Sequence, residues 1–391
     1  MNKLCVDYGY HCLNHYGEEL CGDNVVITDD EQGRSQIFVM ADGLGSGVKA
    51  SILSTLTSKM ISAMIAGGAG IDECVSALAN TLPVCKERGI AYSTFTIINI
   101  VDMKYAEIYQ YDNPILIMLR DGKNYFYGMD TLVVNGKKIA ISKIPIQEND
   151  AFIAFSDGVI HAGIGASLNF GWDRDNVVEF MQAMYGASYS AKSLATILTD
   201  RVNDLYENKP GDDVTALVIK VRRRIPVNLV VGPPKDKEDD QKMMDLFFSK
   251  EGKHVVCGGT TASIVSQYLN QPIETTLAYE SHDVPPMATI AGADLVTEGV
   301  ITLSKTLENV ASYAKDNAKL YDWAFKKDGA SLLTKLLLEE ASDITFYVGR
   351  AINPAHQNPS LPINFNIKMH IVEELNRHLK MIGKKIKICY F

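Results

Sequence analysis

The chain has 391 residues, of which 47% are hydrophobic and 22% charged, and its formal net charge is -9. That length predicts two domains or three, and that balance excludes a disordered or fibrous chain. The acidic excess argues against non-specific nucleic-acid binding, which needs clustered Lys and Arg. It suits a protein that gathers carboxylates around a cation.

The first segment reads as strands and turns. Gln36 to Met40 is a short apolar run, expected as a buried strand that ends at Ala41-Asp42-Gly43. Gly45 and Gly47 allow a tight turn, and Val48 to Ala66 reads as a helix. Thr94 to Val101 is a β-branched strand, with Ala106 to Tyr111 as its expected neighbour. Ile115 to Leu119 and Asn124 to Tyr127 read as strands on either side of a turn at Asp121-Gly122. Asp150 to Phe155 is a further apolar strand, followed by helices at about Asp175 to Tyr185 and Ala191 to Leu205. Val214 to Val221 closes this part of the chain. Arg222-Arg223-Arg224 then marks a boundary, read as a solvated strand end before a linker.

Beyond Pro226 the pattern becomes an alternation of strands and helices. Strands are expected at Val227 to Val231, His254 to Cys257, Ile344 to Val348 and Ile386 to Tyr390. Helices are expected from about Asp236, after Thr261, at Leu303 to Asn317, at Ala330 to Glu340 and at Ile367 to Met381. Such alternation predicts an α/β domain with a mostly parallel sheet.

Met1 to Tyr10 lacks a basic flank followed by an apolar stretch, so no signal peptide is expected. No apolar run is long enough to cross a bilayer. The seven cysteines are scattered and odd in number, which is a reduced, cytoplasmic pattern. Cys5, His11, Cys12, His15 and Cys21 lie close in sequence, but no pair has tight zinc-site spacing, and they read as strand and turn residues. Cys257, His282, Asp283 and His356 are too widely separated to make a good metal or redox site.

Four acidic positions share one setting, the tip of an apolar strand or a Gly-bearing turn. They are Asp23 in Cys21-Gly22-Asp23, Asp42 in Ala41-Asp42-Gly43, Asp157 in Ser156-Asp157-Gly158, and Asp212 in Gly211-Asp212-Asp213. A carboxylate at a strand tip loses little by desolvation if it meets a cation there. Glycine beside it lets a backbone carbonyl approach and become a further ligand. An oxygen-only set without His suits Mg²⁺ or Mn²⁺ and is wrong for zinc. A single Asp-Gly is most simply a turn. Four in succession, each at a strand edge, point to a site.

The order GD, ADGLGSG, FSDGV and GDDVTALVIKV resembles the metal-dependent protein phosphatases of the type 2C class, and within them the bacterial SpoIIE-like branch. The resemblance covers about residues 1–223. It implies an α+β fold in which a central β-sandwich is flanked by helices, an αββα arrangement. It implies two divalent cations, Mn²⁺ or Mg²⁺, bridged by Asp42. Asp157 and Asp212 would bind the first cation, and the Gly43 carbonyl and Asp23 the second. Asp213 is not expected to touch metal directly. The implied activity is hydrolysis of phosphoserine or phosphothreonine on a regulatory protein by a hydroxide held between the cations. Two features depart from some relatives. Leu44 stands where they carry a His, and no Arg precedes Asp23, the first being Arg34. Both suggest slow, partner-dependent catalysis. Asp112-Asn113-Pro114 resembles a family turn and reads as structural.

Residues 224–391 form the second expected domain, regulatory or ligand- or partner-sensing. Val256 to Ala262 reads as strand, Gly/Thr turn and helix, where exposed N–H groups favour an anion. Gly258, Gly259, Thr260, Thr261 and Glu298 are its candidate residues for a small anionic ligand. A tight capped turn accounts better for Gly258 to Thr261, and a helix-capping turn accounts equally for Glu298. The rival to an enzyme is a catalytically weak scaffold that keeps the metal site to bind phosphoprotein. No nucleic-acid or membrane partner is expected.

Overall fold

A computed structural model describes residues 3–81, 93–185, 189–275, 287–351 and 364–391, side chains of 364–366 excepted. The chain divides into two compact units, Met1–Arg223 and Arg224–Phe391.

The first unit runs β1 (Leu4–Leu13), β2 (Asp23–Asp29), β3 (Ser35–Asp42), α1 (Gly47–Ala66) and α2 (Ile71–Thr81). It continues with β4 (Thr94–Val101), β5 (Tyr105–Tyr111), β6 (Ile117–Arg120), β7 (Lys123–Asn124), β8 (Asp130–Val134), β9 (Lys137–Pro145) and β10 (Asp150–Phe155). Then come α3 (Asp157–Ile160), α4 (Arg174–Tyr185), α5 (Ala191–Leu205) and β11 (Val214–Arg223). The strands make a five-stranded sheet in the order β1-β11-β10-β6-β7 and a six-stranded sheet in the order β2-β3-β4-β5-β9-β8.

Strand periodicity explains why the apolar runs are continuous. In β3, Phe38 and Met40 point into the core between the sheets, where they meet Phe152 and Ala154 of β10 and Leu217 and Ile219 of β11. The alternate residues Ile37, Val39 and Ala41 point outward to a second core with Ile61, Val75 and Leu78 of α1 and α2. On the other sheet, Ala151, Ile153 and Phe155 face a third core built with α4 and α5. Both faces of each sheet are covered, which is the αββα layering expected from the resemblance. The buried side of α1 is largely small or hydroxylic, with Ser54, Thr57, Ser58 and Ser62, whereas Val48, Ile52 and Leu56 are exposed.

Two sequence expectations need correction here. The expected strand Asn124 to Tyr127 is only Lys123–Asn124 at the edge of its sheet, with one further hydrogen bond from the Tyr125 N–H to the Met118 carbonyl of β6. Helices α2 and α3 were not anticipated, and α3 has only four residues. The Asp112-Asn113-Pro114 turn is structural as expected. Asn113 accepts a hydrogen bond from Thr94 Oγ1 at 2.6 Å and donates to Thr96 Oγ1 at 3.2 Å.

The second unit runs β12 (Pro226–Val231), α6 (Asp240–Phe248), β13 (Lys253–Cys257), α7 (Gly259–Leu269), β14 (Glu274–Thr275) and β15 (Ala288–Thr289). It ends with β16 (Leu295–Thr297), α8 (Val300–Lys315), α9 (Leu320–Trp323), α10 (Gly329–Lys335), β17 (Asp343–Val348), α11 (Asn364–Met381) and β18 (Lys385–Tyr390). Its sheet has the order β14-β15-β16-β13-β12-β17-β18. The strands from β16 to β18 in that order are parallel, and β14 and β15 are antiparallel. The chain therefore builds outward from β12 through β13 to β16, then reverses to β17 and β18. The expected helix Ala330 to Glu340 divides into α10 and a π-helical turn, Leu336–Glu340. The buried Lys384 amine donates to Leu338 and Ala341 carbonyls at the end of that turn, at 2.8 and 2.7 Å. Among the described residues, no helix is long and apolar enough to cross a membrane.

Candidate metal centre

Two strand ends of one sheet and two of the other supply the acidic residues. Asp23 opens β2, Asp42 closes β3, and the two are directly opposed in the antiparallel ladder. In the other sheet β10 ends at Phe155, one residue before Ser156 and α3, whose first residue is Asp157. Its antiparallel neighbour β11 begins at Val214, just after Asp212 and Asp213, and Phe155 pairs with Ala216. The four motifs, scattered over about half the chain, thus meet. Asp42 lies within electrostatic reach of Asp23, Asp157 and Asp212.

Close backbone approach accounts for the glycines after Asp42 and Asp157. The Gly43 N–H donates to the Gly22 carbonyl at 3.2 Å, and a Cβ at Gly43 would collide with the Ala50 carbonyl. A Cβ at Gly158 would collide with the Asp213 carbonyl. Any side chain at either position would wedge the motifs apart. Tyr206 adds a brace, since its hydroxyl donates to the Gly158 carbonyl at 3.0 Å.

Burial and mutual repulsion dominate the electrostatics. Asp23 is only 6% exposed, and neither of its carboxylate oxygens has a hydrogen-bond partner. Burial pushes its carboxyl up to about 7; the nearby Thr215 and Ser156 hydroxyls pull it back, and Asp213 and Asp157 push it further. Burial, then Asp23, Asp157 and Asp212, push Asp42 up to about 9. Asp212 is also raised by burial and by Asp157, against the Asp213 N–H, which donates to its Oδ1 at 2.9 Å. Asp157 is less enclosed, and its Oδ2 lies 3.9 Å from Nδ1 of the half-exposed His161.

A set of carboxylates held together at such electrostatic cost fits a hard cation, which would neutralise it and satisfy the orphaned Asp23 oxygens. Among the described residues, however, no three His, Cys, Asp or Glu side chains are already grouped so that they could hold a metal ion. The backbone brings the acids to one place, but the side chains do not form a closed cage. The five N-terminal residues with zinc-like chemistry have other engagements. Cys5 Sγ reaches the Arg223 carbonyl at 3.8 Å, His11 Nδ1 meets Thr199 Oγ1 at 2.7 Å, and the His15 N–H donates to Asp213. Cys21 Sγ lies 3.9 Å from the Leu13 carbonyl, and Cys12 Sγ accepts from Thr215 Oγ1 at 3.2 Å. None of the described cysteines forms a disulfide.

In the second unit, Gly258 is the N-terminal cap of α7 with φ 111°, and Gly259, Thr260 and Thr261 form the first turn of the helix rather than a preceding loop. Thr261 Oγ1 accepts the Gly232 N–H at 2.9 Å. Glu298 Oε2 accepts the Ile301 N–H at 3.2 Å and so acts as a cap of α8. Cys257 is buried and accepts from Thr297 Oγ1 at 3.4 Å. His282, Asp283 and His356 lie outside the described residues. Sequence reading missed Lys368. A Cβ at Gly232 would collide with its amine, which donates to the Gly349 carbonyl. Burial depresses its pKa. Sequence reading also missed Tyr206 and His161. Only His161 had a legible signal, its four-residue spacing from Asp157 on a helix.

Residues 32–222 match the family described as Stage II sporulation protein E (SpoIIE). No curated protein matches the chain. Among solved structures, the SpoIIE phosphatase domain from Bacillus subtilis is 16% identical, with a TM-score of 0.43, over 58% of this chain and 96% of that one. A longer SpoIIE structure from Bacillus subtilis, with a fragment of its regulatory domain, is 18% identical at a TM-score of 0.48, over 57% of this chain and 65% of that one. The SiaA-PP2C domain of Pseudomonas aeruginosa is 15% identical at 0.42, over 54% and 85%. The segment 32–222 of this chain therefore resembles the SpoIIE family of PP2C-type phosphatase domains.

Proposed function

We propose that the first unit is a divalent-cation-dependent protein phosphatase that hydrolyses phosphoserine or phosphothreonine on a regulatory protein. The observation that carries this reading is the convergence of four Asp motifs around a buried carboxylate, Asp23, whose oxygens have no partner. Asp42, Asp157 and Asp212 would hold one cation, and Asp42, Asp23 and the Gly43 carbonyl a second, Mn²⁺ or Mg²⁺. When bound, such cations acidify water and offset phosphoryl charge.

The chain's own residues do the rest. The β2–β3 ladder fixes Asp23 against Asp42, so the buried side of the site is rigid. Asp157 is the most open member, its side chain 46% exposed and 3.9 Å from His161 Nδ1. Tyr206 holds the carbonyl of Gly158 and keeps that turn from swinging away. Leu44 offers no proton, so leaving-group protonation falls to other groups or to the substrate protein. Slow turnover without a partner follows.

We propose in addition that residues 224–391 sense a small anionic ligand at the carboxyl ends of the parallel strands, where β12 and β17 diverge. The support is Lys368, a half-buried amine beside Gly232 and Gly349 whose pKa burial lowers. Gly258, Gly259, Thr260 and Thr261 would line the same edge. Glu298, engaged as a helix cap, is the least suited of the candidates. The cysteine pattern fits a cytoplasmic setting.

The deciding experiment is Mn²⁺-dependent release of phosphate from a phosphothreonine peptide by the wild type, Asp42→Asn and Asp157→Asn. Activity that requires Mn²⁺ and vanishes in both variants supports the phosphatase. Cation binding without turnover, even with a phosphorylated partner protein, would favour the phosphoprotein-binding scaffold instead.

A further inference from the structure

We propose that Asp213 supplies a cation ligand through Oδ2, at the buried end of the site beside Asp23. This inference rests on the reading of the first unit as a cation-dependent enzyme.

The starting point is an unbalanced carboxylate. Asp213 is 3% exposed, which makes an uncompensated charge there costly. Its Oδ1 accepts the His15 N–H at 3.0 Å, but its Oδ2 has no partner. Among the described residues, the buried carboxylate oxygens without a hydrogen bond are this one and the two of Asp23. The two side chains are neighbours. A Cβ at Gly22 would lie 2.5 Å from Asp213 Oδ2, so that oxygen occupies the space a side chain at position 22 would enter. Asp213 is also among the charges that act on Asp23. Three orphaned oxygens thus stand together at the closed end of a site whose open end holds Asp157.

A purely structural role does not need this arrangement. One oxygen suffices to accept the His15 N–H, and an amide would accept it equally well. The second oxygen, buried and without a hydrogen bond, would gain a partner from a cation that enters. Its placement is also fixed in advance. The residue leads straight into β11, its carbonyl abuts Gly158, and that carbonyl accepts from Ser156 Oγ at 3.4 Å. A ligand held so firmly needs no reordering on binding. The sequence gives Asp213 no such prominence, because it stands beside the motif acid Asp212 and only the fold shows which way it faces.

The test is isothermal titration of Mn²⁺ into chelator-stripped full-length protein, with melting of the metal-free forms alongside. Asp213→Asn keeps the acceptor for His15 and removes the charged oxygen. The expected result is at least a tenfold loss of affinity at the tightest Mn²⁺ site, with a metal-free melting temperature equal to or above the wild type. Asp213→Cys provides a second arm, because a thiolate prefers a soft ion. Relative to the wild type it should lose Mn²⁺ affinity at the tightest site and gain Cd²⁺ affinity. Wild-type Mn²⁺ affinity in Asp213→Asn, or no switch toward Cd²⁺ in Asp213→Cys, overturns the inference and leaves the phosphatase reading intact. A wild type that binds no Mn²⁺ overturns both.

Discussion

Replacing Asp23 by Asn should stabilise the metal-free protein at neutral pH and remove most of its response to cations. Asp23 is almost wholly buried and unpartnered, and its carboxyl is pushed from 3.8 up to about 7. In the unfolded chain it ionises near pH 4, whereas in the folded chain it resists ionisation. The folded state therefore binds the extra proton between those values, and stability falls as pH rises from about 4 to about 7. At about 1.4 kcal/mol per pH unit that loss approaches roughly 4 kcal/mol at pH 8. An Asn in the same place removes the charge but leaves an amide short of partners, which costs about 1–3 kcal/mol. A net gain of roughly 1–3 kcal/mol remains, or several degrees in the melting temperature of a unit this size, at about 2–4 °C per kcal/mol. The assay is thermal unfolding with a chelator at pH 5 and pH 8, repeated with excess Mn²⁺. The wild type should melt lower at pH 8 than at pH 5 and recover with Mn²⁺. Asp23→Asn should show a shallower pH dependence and little recovery. A wild-type melting temperature that is flat across this range, or an Asp23→Asn protein less stable than the wild type at pH 8, would refute the reasoning.

Other perturbations follow from the same geometry. Arg120→Ala strands the wholly buried Asp150, which Arg120 now holds at 2.8 and 3.0 Å, and should cost about 3–5 kcal/mol in urea unfolding. Gly158→Ala drives a methyl group into the Asp213 carbonyl. It should destabilise the first unit by about 1–3 kcal/mol and lower Mn²⁺-dependent turnover, both measurable on one preparation. In the second unit, pyrophosphate at about 100 times its dissociation constant should stabilise by about 2.7 kcal/mol, seen as a rise in melting temperature. Lys368→Met should abolish that rise. An unchanged response would remove Lys368 from any anion site.

The sequence on its own determined most elements of regular structure and the four acidic motifs. Strands buried on both faces read as unbroken apolar runs, so Thr94–Val101 could be bounded without a structure. Helix α5 was equally legible, from Ala191 to Leu205. The acidic motifs stood out because four in succession, each with a glycine at a strand edge, are more than isolated turns explain. What the tertiary structure alone decided is how those pieces face one another. Helix α1 is the clearest case. Hydrophobicity would turn Val48, Ile52 and Leu56 inward, yet Ser54, Thr57, Ser58 and Ser62 are the buried side. Small side chains let the helix lie close to β2 and β3, and Ser58 there accepts a hydrogen bond from Asn24 at 2.7 Å. The reversal of strand order at β12, which places Lys368 over Gly232, depends on pairing between segments more than a hundred residues apart. Whether Asp213 is an idle neighbour of Asp212 or part of the site is likewise not a local property. It depends on Gly22, nearly two hundred residues away, leaving room for one carboxylate oxygen.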